Sequence, residues 1–254
     1  NNGDKIYHNQ DMGFMRSVHS GMGYEKFFGQ GFSIKTELYY QYLYQVPVSI
    51  WESSFSMINM GSGFARIFPD SLQNTGTGYN YGVELTVQKY FDKSFFFLFS
   101  GTLYDSKYRG SDEILRSTSY NGNYVFNVLA GKEFKLGTKN TIGIGLKLTR
   151  AGGKRYGLVD IEQTEAFKEI IFQDDQFNDL SFDDYFRIDL KLSWRMNAEK
   201  SSHEIGIDLV NVLNTTNVLS LAYAPSLDPA VYNSPGYQPT AQKNQLGRLP
   251  IFYY

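Results

Sequence analysis

Hydrophobic and polar residues alternate one by one along several long stretches of the chain. Between Asp184 and Met196, and again between Phe32 and Tyr44, every second position is mainly apolar. A period of two places successive side chains on opposite faces of a β-strand, so each stretch predicts a strand with one apolar and one wet face. In the first stretch the apolar set is Phe186, Ile188, Leu190, Leu192, Trp194 and Met196, and the polar set is Tyr185, Arg187, Asp189, Lys191, Ser193 and Arg195.

Strand length separates a membrane barrel from a soluble sandwich. Strands of soluble domains have about five or six residues, whereas these stretches have about eleven to fourteen. With a tilt of about 40°, strands of this length cross roughly 30 Å, which is the thickness of the hydrocarbon core of a membrane. A membrane helix would need an apolar run of about twenty residues, and the longest here is Phe95 to Phe99. The sequence therefore favours a membrane barrel.

Nine strands are predicted, and the connections between them alternate between short and long. The strands lie near residues 12–24, 31–45, 79–90, 94–106, 122–134, 140–151, 183–196, 203–212 and 247–254. The short connections are residues 25–30, 91–93, 135–139 and 197–202, and the long ones are residues 46–78, 107–121, 152–182 and 213–246. Outer-membrane barrels have tight turns at the periplasmic rim and long loops outside. The pattern therefore predicts an all-β fold, an antiparallel transmembrane β-barrel whose long loops face outside.

The predicted barrel is expected to be an arc of a larger one. The strand count is odd, and the last strand has only the few residues after Gly247, among them Pro250, which lacks a ladder donor. The first residues, Asn1 to Asp4, contain neither an initiating Met nor a signal segment. We expect a processed chain or a piece of a longer protein.

Composition narrows the possible functions. The net charge is -2 and basic residues do not cluster, so nucleic-acid binding has no electrostatic support. Aromatic residues make up 17% of the chain and gather near the predicted strand ends, which indicates girdles at the membrane surface, although ordinary core and cross-strand pairing is the alternative. The clusters are Tyr40, Tyr42 and Tyr44; Tyr90, Phe91, Phe95, Phe96 and Phe97; and Tyr104, Tyr108, Tyr120 and Tyr124.

Catalytic chemistry has little support in the sequence. His8, His19 and His203 are scattered, and neither a nucleophile motif nor paired-His spacing accompanies them. An acidic stretch offers oxygen ligands for a hard cation but lacks the ligand spacing of a calcium loop, and solvated surface carboxylates are the commoner case. We expect no enzyme activity, cofactor or metal site. The acidic residues are Asp174, Asp175, Asp179, Asp183 and Asp184.

Three stretches carry a family resemblance. They are RSTSYNGNYVFN from Arg116 followed by GKEF from Gly131, GGKRYGLVD from Gly152, and DYFRID from Asp184 through WRMN to NVLN ending at Asn214. In order and spacing they resemble the C-terminal barrel of Bacteroidetes-type TonB-dependent outer-membrane receptors, the group with a carboxypeptidase-regulatory-like domain ahead of the plug. The resemblance implies the C-terminal arc of a barrel of about 22 strands that surrounds a plug.

The resemblance also implies partners. TonB would act through an N-terminal part that this sequence does not contain, membrane lipid or lipopolysaccharide would surround the barrel, and a surface lipoprotein could dock on the loops. The nutrient would be a glycan, a peptide or a metal chelate. The alternatives are a passive porin-like or structural outer-membrane barrel, and a soluble all-β binding module.

Two sets of residues are candidates for functional contacts. Charge on the lipid face costs about 2 to 4 kcal/mol at mid-bilayer, so Arg187, Asp189, Lys191 and Arg195 are expected to face the lumen, in contact with the plug and wall or along the substrate path. Tyr223, Tyr232 and Tyr237 lie in the last long loop, where aromatic hydroxyls suit ligand capture.

Overall fold

The structure is a computed structural model that describes residues 9–29, 31–60, 69 and 71–254. His8 and the residues around Asn1 to Asp4 lie outside this part, as do residues 61–68 of the first long connection. The strands are β1 (Arg16–Phe28), β2 (Phe32–Ser49), β3 (Leu72–Asp92), β4 (Phe95–Arg109), β5 (Leu115–Ser117), β6 (Tyr124–Leu136), β7 (Asn140–Ala151), β8 (Arg155–Tyr156), β9 (Leu180–Ser181), β10 (Tyr185–Asn197), β11 (Ser202–Val210), β12 (Val218–Tyr223), β13 (Thr240–Asn244) and β14 (Leu249–Tyr253).

One antiparallel sheet forms the body of the described chain. Its strand order is β1-β2-β3-β4-β6-β7-β10-β11-β14, and β5 pairs with the end of β4. Each of these nine strands pairs with its neighbours in chain order, so the sheet runs up and down without crossovers. The nine strands correspond one to one with the nine predicted strands. The predicted all-β, antiparallel fold class is confirmed.

β2 and β3 are longer than predicted. β2 has 18 residues and β3 has 21, and both extend towards the long connections. In the extension of β2, Val46 and Val48 are fully buried. Most other residues of the strand are half-buried or exposed. The extension therefore belongs to a packed region beyond the alternating part of the strand.

The short connections lie together at one end of the strands. Lys93 and Ser94 join β3 to β4 with φ angles of 50° and 65°, as a two-residue hairpin turn with positive φ at both positions requires. Gly137 adopts a φ of 65° in the turn between β6 and β7. Residues 198–201 join β10 to β11. The predicted alternation of short and long connections is confirmed in the described residues.

The sheet has two chemically different faces. Residues directly opposite each other in an antiparallel pair share a face, so the register extends each face across the strands. Leu190 lies opposite Leu146 and Leu209, whereas Lys191 lies opposite Gly145 and Asp208. On the apolar face, large side chains are exposed along the width of the sheet, among them Leu38, Leu85, Leu103, Phe134, Ile144, Leu192, Trp194 and Ile205.

The buried core lies outside the sheet faces. The buried hydrophobic residues are Val46, Val48, Tyr108, Val159 and Phe182, and all lie at the long-loop end. Four long segments meet there: the described part of loop A (residues 50–60, 69 and 71), loop B (110–123), loop C (152–184) and loop D (211–248). We call these four segments the loop cluster. The sheet is thus a single wall, and tight packing is concentrated in the loop cluster.

Helical structure is sparse. The longer helix, α1 (Ile161–Phe167), begins at Asp160, whose Oδ1 accepts a hydrogen bond of 2.9 Å from the Gln163 amide. The other described α-helix, α2 (Pro229–Tyr232), has four residues, and Met57–Asn59 form a short 3₁₀ helix. No helix in the described part of the chain is long and apolar enough to cross a membrane.

Two adjacent glycines set the geometry where β7 leads into loop C. A Cβ atom at Gly152 would lie 1.7 Å from the Gly122 carbonyl oxygen, and one at Gly153 would lie 1.7 Å from the Phe182 carbonyl oxygen. Both obstacles are backbone atoms, which a rotamer change does not relieve. The close approach therefore requires glycine at both positions.

We predict that Gly152→Ala lowers the free energy of unfolding by about 3 kcal/mol, the upper part of the range for overpacking. Gly29→Ala is the control, because a Cβ there meets nothing within 4 Å. Denaturant unfolding in detergent compares the two variants. Equal stability of both would contradict this account of loop C.

Candidate functional site

The charged residues of β10 form an ion-paired row on the polar face. Arg195 bridges two strands: its Nη2 lies 2.8 Å from Glu133 Oε1 of β6, and its Nε lies 3.1 Å from Glu204 Oε2 of β11. Arg195 lies opposite Thr141 of β7 in the register, so its contact with Glu133 passes diagonally across β7. Arg195 therefore connects β10 with both β6 and β11.

The other predicted lumen residues are also engaged. Arg187 Nη2 lies 2.9 Å from Asp189 Oδ2, and Asp189 Oδ1 accepts a hydrogen bond of 2.8 Å from the Asn211 amide. Lys191 Nζ lies 4.0 Å from Asp208 Oδ1 and 4.4 Å from the ring centroid of Tyr253. All four predicted residues thus share the polar face and make contacts within the wall. A direct role of these residues towards a substrate stays a prediction.

The polar face of β1 to β4 forms a trough that the sequence does not predict. It has a volume of about 650 Å³ and includes Glu37, Tyr39, Glu84 and Tyr104 in its lining. An amide network supports its floor, because Asn80 Nδ2 donates to Gln41 Oε1 at 2.8 Å and Gln41 Nε2 donates to Ser17 Oγ at 3.1 Å. The alternation between Phe32 and Tyr44 already placed Glu37, Tyr39 and Gln41 on one face, but the partner strands were needed to show a trough.

The loops of the cluster are locked to one another by side-chain hydrogen bonds. Asp174 of loop C accepts from the Ser54 amide at 2.8 Å and from the Ser54 hydroxyl at 2.6 Å, across 120 residues of sequence. Asn59 Oδ1 of loop A accepts from the Ser119 amide of loop B at 2.9 Å. Asn178 Nδ2 of loop C donates to the Ser117 carbonyl at 3.0 Å. Loops A, B and C therefore form one connected structure.

The stretch that begins at Arg116 is a packing element of this cluster. The Arg116 side chain is 2% exposed, and its Nη1 lies 2.7 Å from Asp112 Oδ2. Asn121 is fully buried; its Oδ1 accepts from the Ser106 amide at 3.1 Å and its Nδ2 donates to Asp105 Oδ1 at 2.6 Å. These contacts hold loop B against β4. The residues that carry part of the family resemblance thus have a structural role.

The three candidate tyrosines of loop D separate into two places. The Tyr223 hydroxyl donates to Glu165 Oε2 of α1 at 2.9 Å, and Lys168 Nζ lies 5.4 Å from the Tyr223 ring centroid. The hydrogen bonds from Lys168 and then from Tyr223 hold the pKa of Glu165 below its usual value. Tyr232 and Tyr237 contact each other, with ring centroids 5.2 Å apart. Tyr223 fastens the hairpin β12–β13 to loop C, and its role in ligand capture stays a prediction.

The acidic residues of loop C are dispersed. Asp174 binds Ser54, whereas Asp184 accepts hydrogen bonds from the Tyr124 hydroxyl and from Arg150. These donors, Tyr124 first, hold the pKa of Asp184 below its ordinary value. Within the described residues, no group of three or more His, Cys, Asp or Glu side chains is arranged to hold a metal ion.

Comparison with known proteins supports the fold. No family model and no curated protein matches the chain. Among solved structures, the FrpB iron transporter from Neisseria meningitidis (F3-3 variant) is similar with a TM-score of 0.56 and 11% sequence identity. The similarity covers 95% of this chain and 31% of that chain. At this identity the likeness shows a shared fold, and the present chain spans about a third of the transporter's length.

The chain therefore has a known architecture: an all-β antiparallel sheet that follows the same course as part of a transporter chain. Membership in the Bacteroidetes-type receptor group has no support from a family model and stays a prediction.

The buried pair of Arg116 and Asp112 yields a stability prediction. Arg116→Ala would leave the Asp112 carboxylate buried without its partner, so the free energy of unfolding should fall by about 3 to 5 kcal/mol. The double variant Arg116→Ala/Asp112→Ala should lose less than the sum of the two single variants. Denaturant unfolding in detergent measures all three.

An exposed pair of the same chemistry serves as the control. Arg150 and Asp184 lie 3.3 Å apart with side chains 57% and 43% exposed, so Arg150→Ala should cost about 1 kcal/mol or less. An Arg116→Ala loss no larger than that of Arg150→Ala would contradict the role assigned to loop B.

Proposed function

We propose that this chain is the C-terminal arc of a plugged outer-membrane barrel of about 22 strands that imports a nutrient with energy delivered by TonB. The chain supplies the barrel wall and outer loops, and it performs no covalent chemistry. The plug and the TonB-binding segment belong to a part of the protein outside this sequence. The nutrient is a glycan, a peptide or a metal chelate.

The two faces of the single wall carry this proposal. Large apolar side chains are exposed on one face, where a soluble protein would pack a second layer. Lipid is the cover that such a band accepts. The opposite face holds paired charges such as Arg195 with Glu133 and Glu204, which suits a wet interior.

The two rims support an importer with a sided structure. Tight turns occupy one rim, and the interlocked loop cluster occupies the other. In an outer membrane the rim with long loops faces outside, so the cluster is the surface that first meets a nutrient or a surface lipoprotein. The fold shared with an iron transporter is consistent with transport.

Conductance in a planar lipid bilayer tests import against passive diffusion without knowledge of the nutrient. The intact protein, purified in detergent and inserted into the bilayer, should show no steady ion conductance because the plug fills the barrel. The same protein without its plug is the control and should open stepwise channels. Co-purification of the intact protein with the periplasmic domain of TonB is the second expected result.

Stepwise conductance of the intact protein, with no binding to TonB, would contradict the proposed import. That result would support the passive porin-like alternative.

A further inference from the structure

The loop cluster contains a small cavity that no role described above explains. It has a volume of about 280 Å³ and lies between loops A, B and C and strand β12 of loop D. Cavities for drug-sized ligands usually measure about 300 to 1,000 Å³. This cavity therefore suits a molecule with a single ring.

Aromatic side chains of loop C form one wall of the cavity. Tyr156 and Phe182 stack with ring centroids 4.3 Å apart, and Phe172 meets Phe177 edge to face at 6.1 Å. Leu219 of β12 also lines the cavity. Such walls favour a flat apolar ring, because aromatic faces and edges pack well against another ring.

The charged groups of the cavity are cationic. Lys154 and Arg155 line it, and no carboxylate does. Arg155 is held in place, since its Nε donates to the Asn121 carbonyl at 3.0 Å and its Nη2 donates to Asn123 Oδ1 at 2.9 Å. Lys154 is exposed and forms no ion pair among the described residues.

The neighbouring cavity of the cluster has the opposite charge. Five carboxylates and a single arginine line that space of about 500 Å³. In a chain of net charge -2, the lack of carboxylates around the aromatic cavity therefore favours an anion there over a cation. The five are Glu52, Asp112, Asp160, Asp174 and Asp175.

From these observations we infer that the cavity binds a small organic anion with one apolar ring, an aromatic carboxylate of the size of benzoate. The ring packs between the aromatic wall and Leu219, and the carboxylate pairs with Lys154 and Arg155. The inference rests on the proposed function, because capture of a nutrient requires the loop cluster to face outside, and it names the group of a peptide or a metal chelate that the cavity would hold, an aromatic ring with a carboxylate.

Calorimetric titration of the intact protein in detergent tests this inference. Sodium benzoate should bind saturably, whereas benzylamine, which carries a cation on a similar ring, should not bind. Lys154→Gln should weaken benzoate binding about tenfold, the loss expected for one charge-assisted hydrogen bond. Lys243→Gln is the matched control, because Lys243 is an exposed lysine of β13 that does not line the cavity.

A second pair of variants tests the position of the ligand. Leu219→Trp should fill the cavity and abolish binding, whereas Leu246→Trp, at an exposed position of loop D outside the cavity, should leave binding unchanged. No saturable benzoate binding by the folded protein, equal binding of benzylamine, or unchanged binding by Lys154→Gln would each overturn the inference.

The titration tests the binding site, and the bilayer conductance tests the import function, so each can be contradicted without the other. Benzoate binding by a protein that conducts ions without TonB would refute the import function and leave the site standing. A plugged, TonB-binding protein that ignores benzoate would refute the site alone.

Discussion

The alternation of side chains across one continuous antiparallel sheet is the constraint on which the rest of the structure depends. The backbone groups of each interior strand form hydrogen bonds with two neighbouring strands. Its side chains can therefore point only to the two faces of the sheet. Because no second layer covers either face in the described chain, the register must keep most of the large apolar side chains on one side. A shift of one residue would move Lys191 and Arg195 to the side of Leu192 and Trp194.

This constraint moves the tight packing away from the strands. The buried hydrophobic residues lie at the long-loop end, where β2 and β4 extend beyond the alternating band to Val48 and Tyr108. Loops A, B and C complete this region through buried polar side chains such as Asn121 and Asn178, which bind backbone groups that would otherwise lack partners. The loop cluster is therefore a structured surface, and a cavity within it has defined walls.

The sequence predicted the elements that depend on local period and missed those that depend on tertiary contact. The nine long strands followed from alternation. The short strands β5, β8 and β9 have two or three residues, too few to show a period. Aromatic clustering was also ambiguous: Tyr108 is fully buried under the loops, although its spacing resembled a girdle residue.

The candidate site shows the same division between local and tertiary information. The period of two along β10 is sufficient to predict that its four charged side chains lie on one face. Their partners Glu133 and Glu204 belong to strands whose register the sequence does not give. The aromatic hydroxyl of Tyr223 predicts a ligand contact, but the observed contact of Tyr223 with Glu165 depends on the packing of loop D on loop C. The cationic aromatic cavity is lined by residues of all four loops, so no local sequence pattern predicts it.

Labelling of single cysteines along β10, in native membranes, tests the two-faced wall most directly. The chain contains no cysteine, so replacements at Lys191, Leu192, Ser193 and Trp194 each add one thiol to it. We predict that a membrane-impermeant, water-soluble maleimide labels positions 191 and 193 in permeabilised outer membranes, and that a lipid-dissolved quencher reaches fluorophores only at positions 192 and 194. Uniform aqueous labelling of all four positions would contradict a wall that faces lipid on one side.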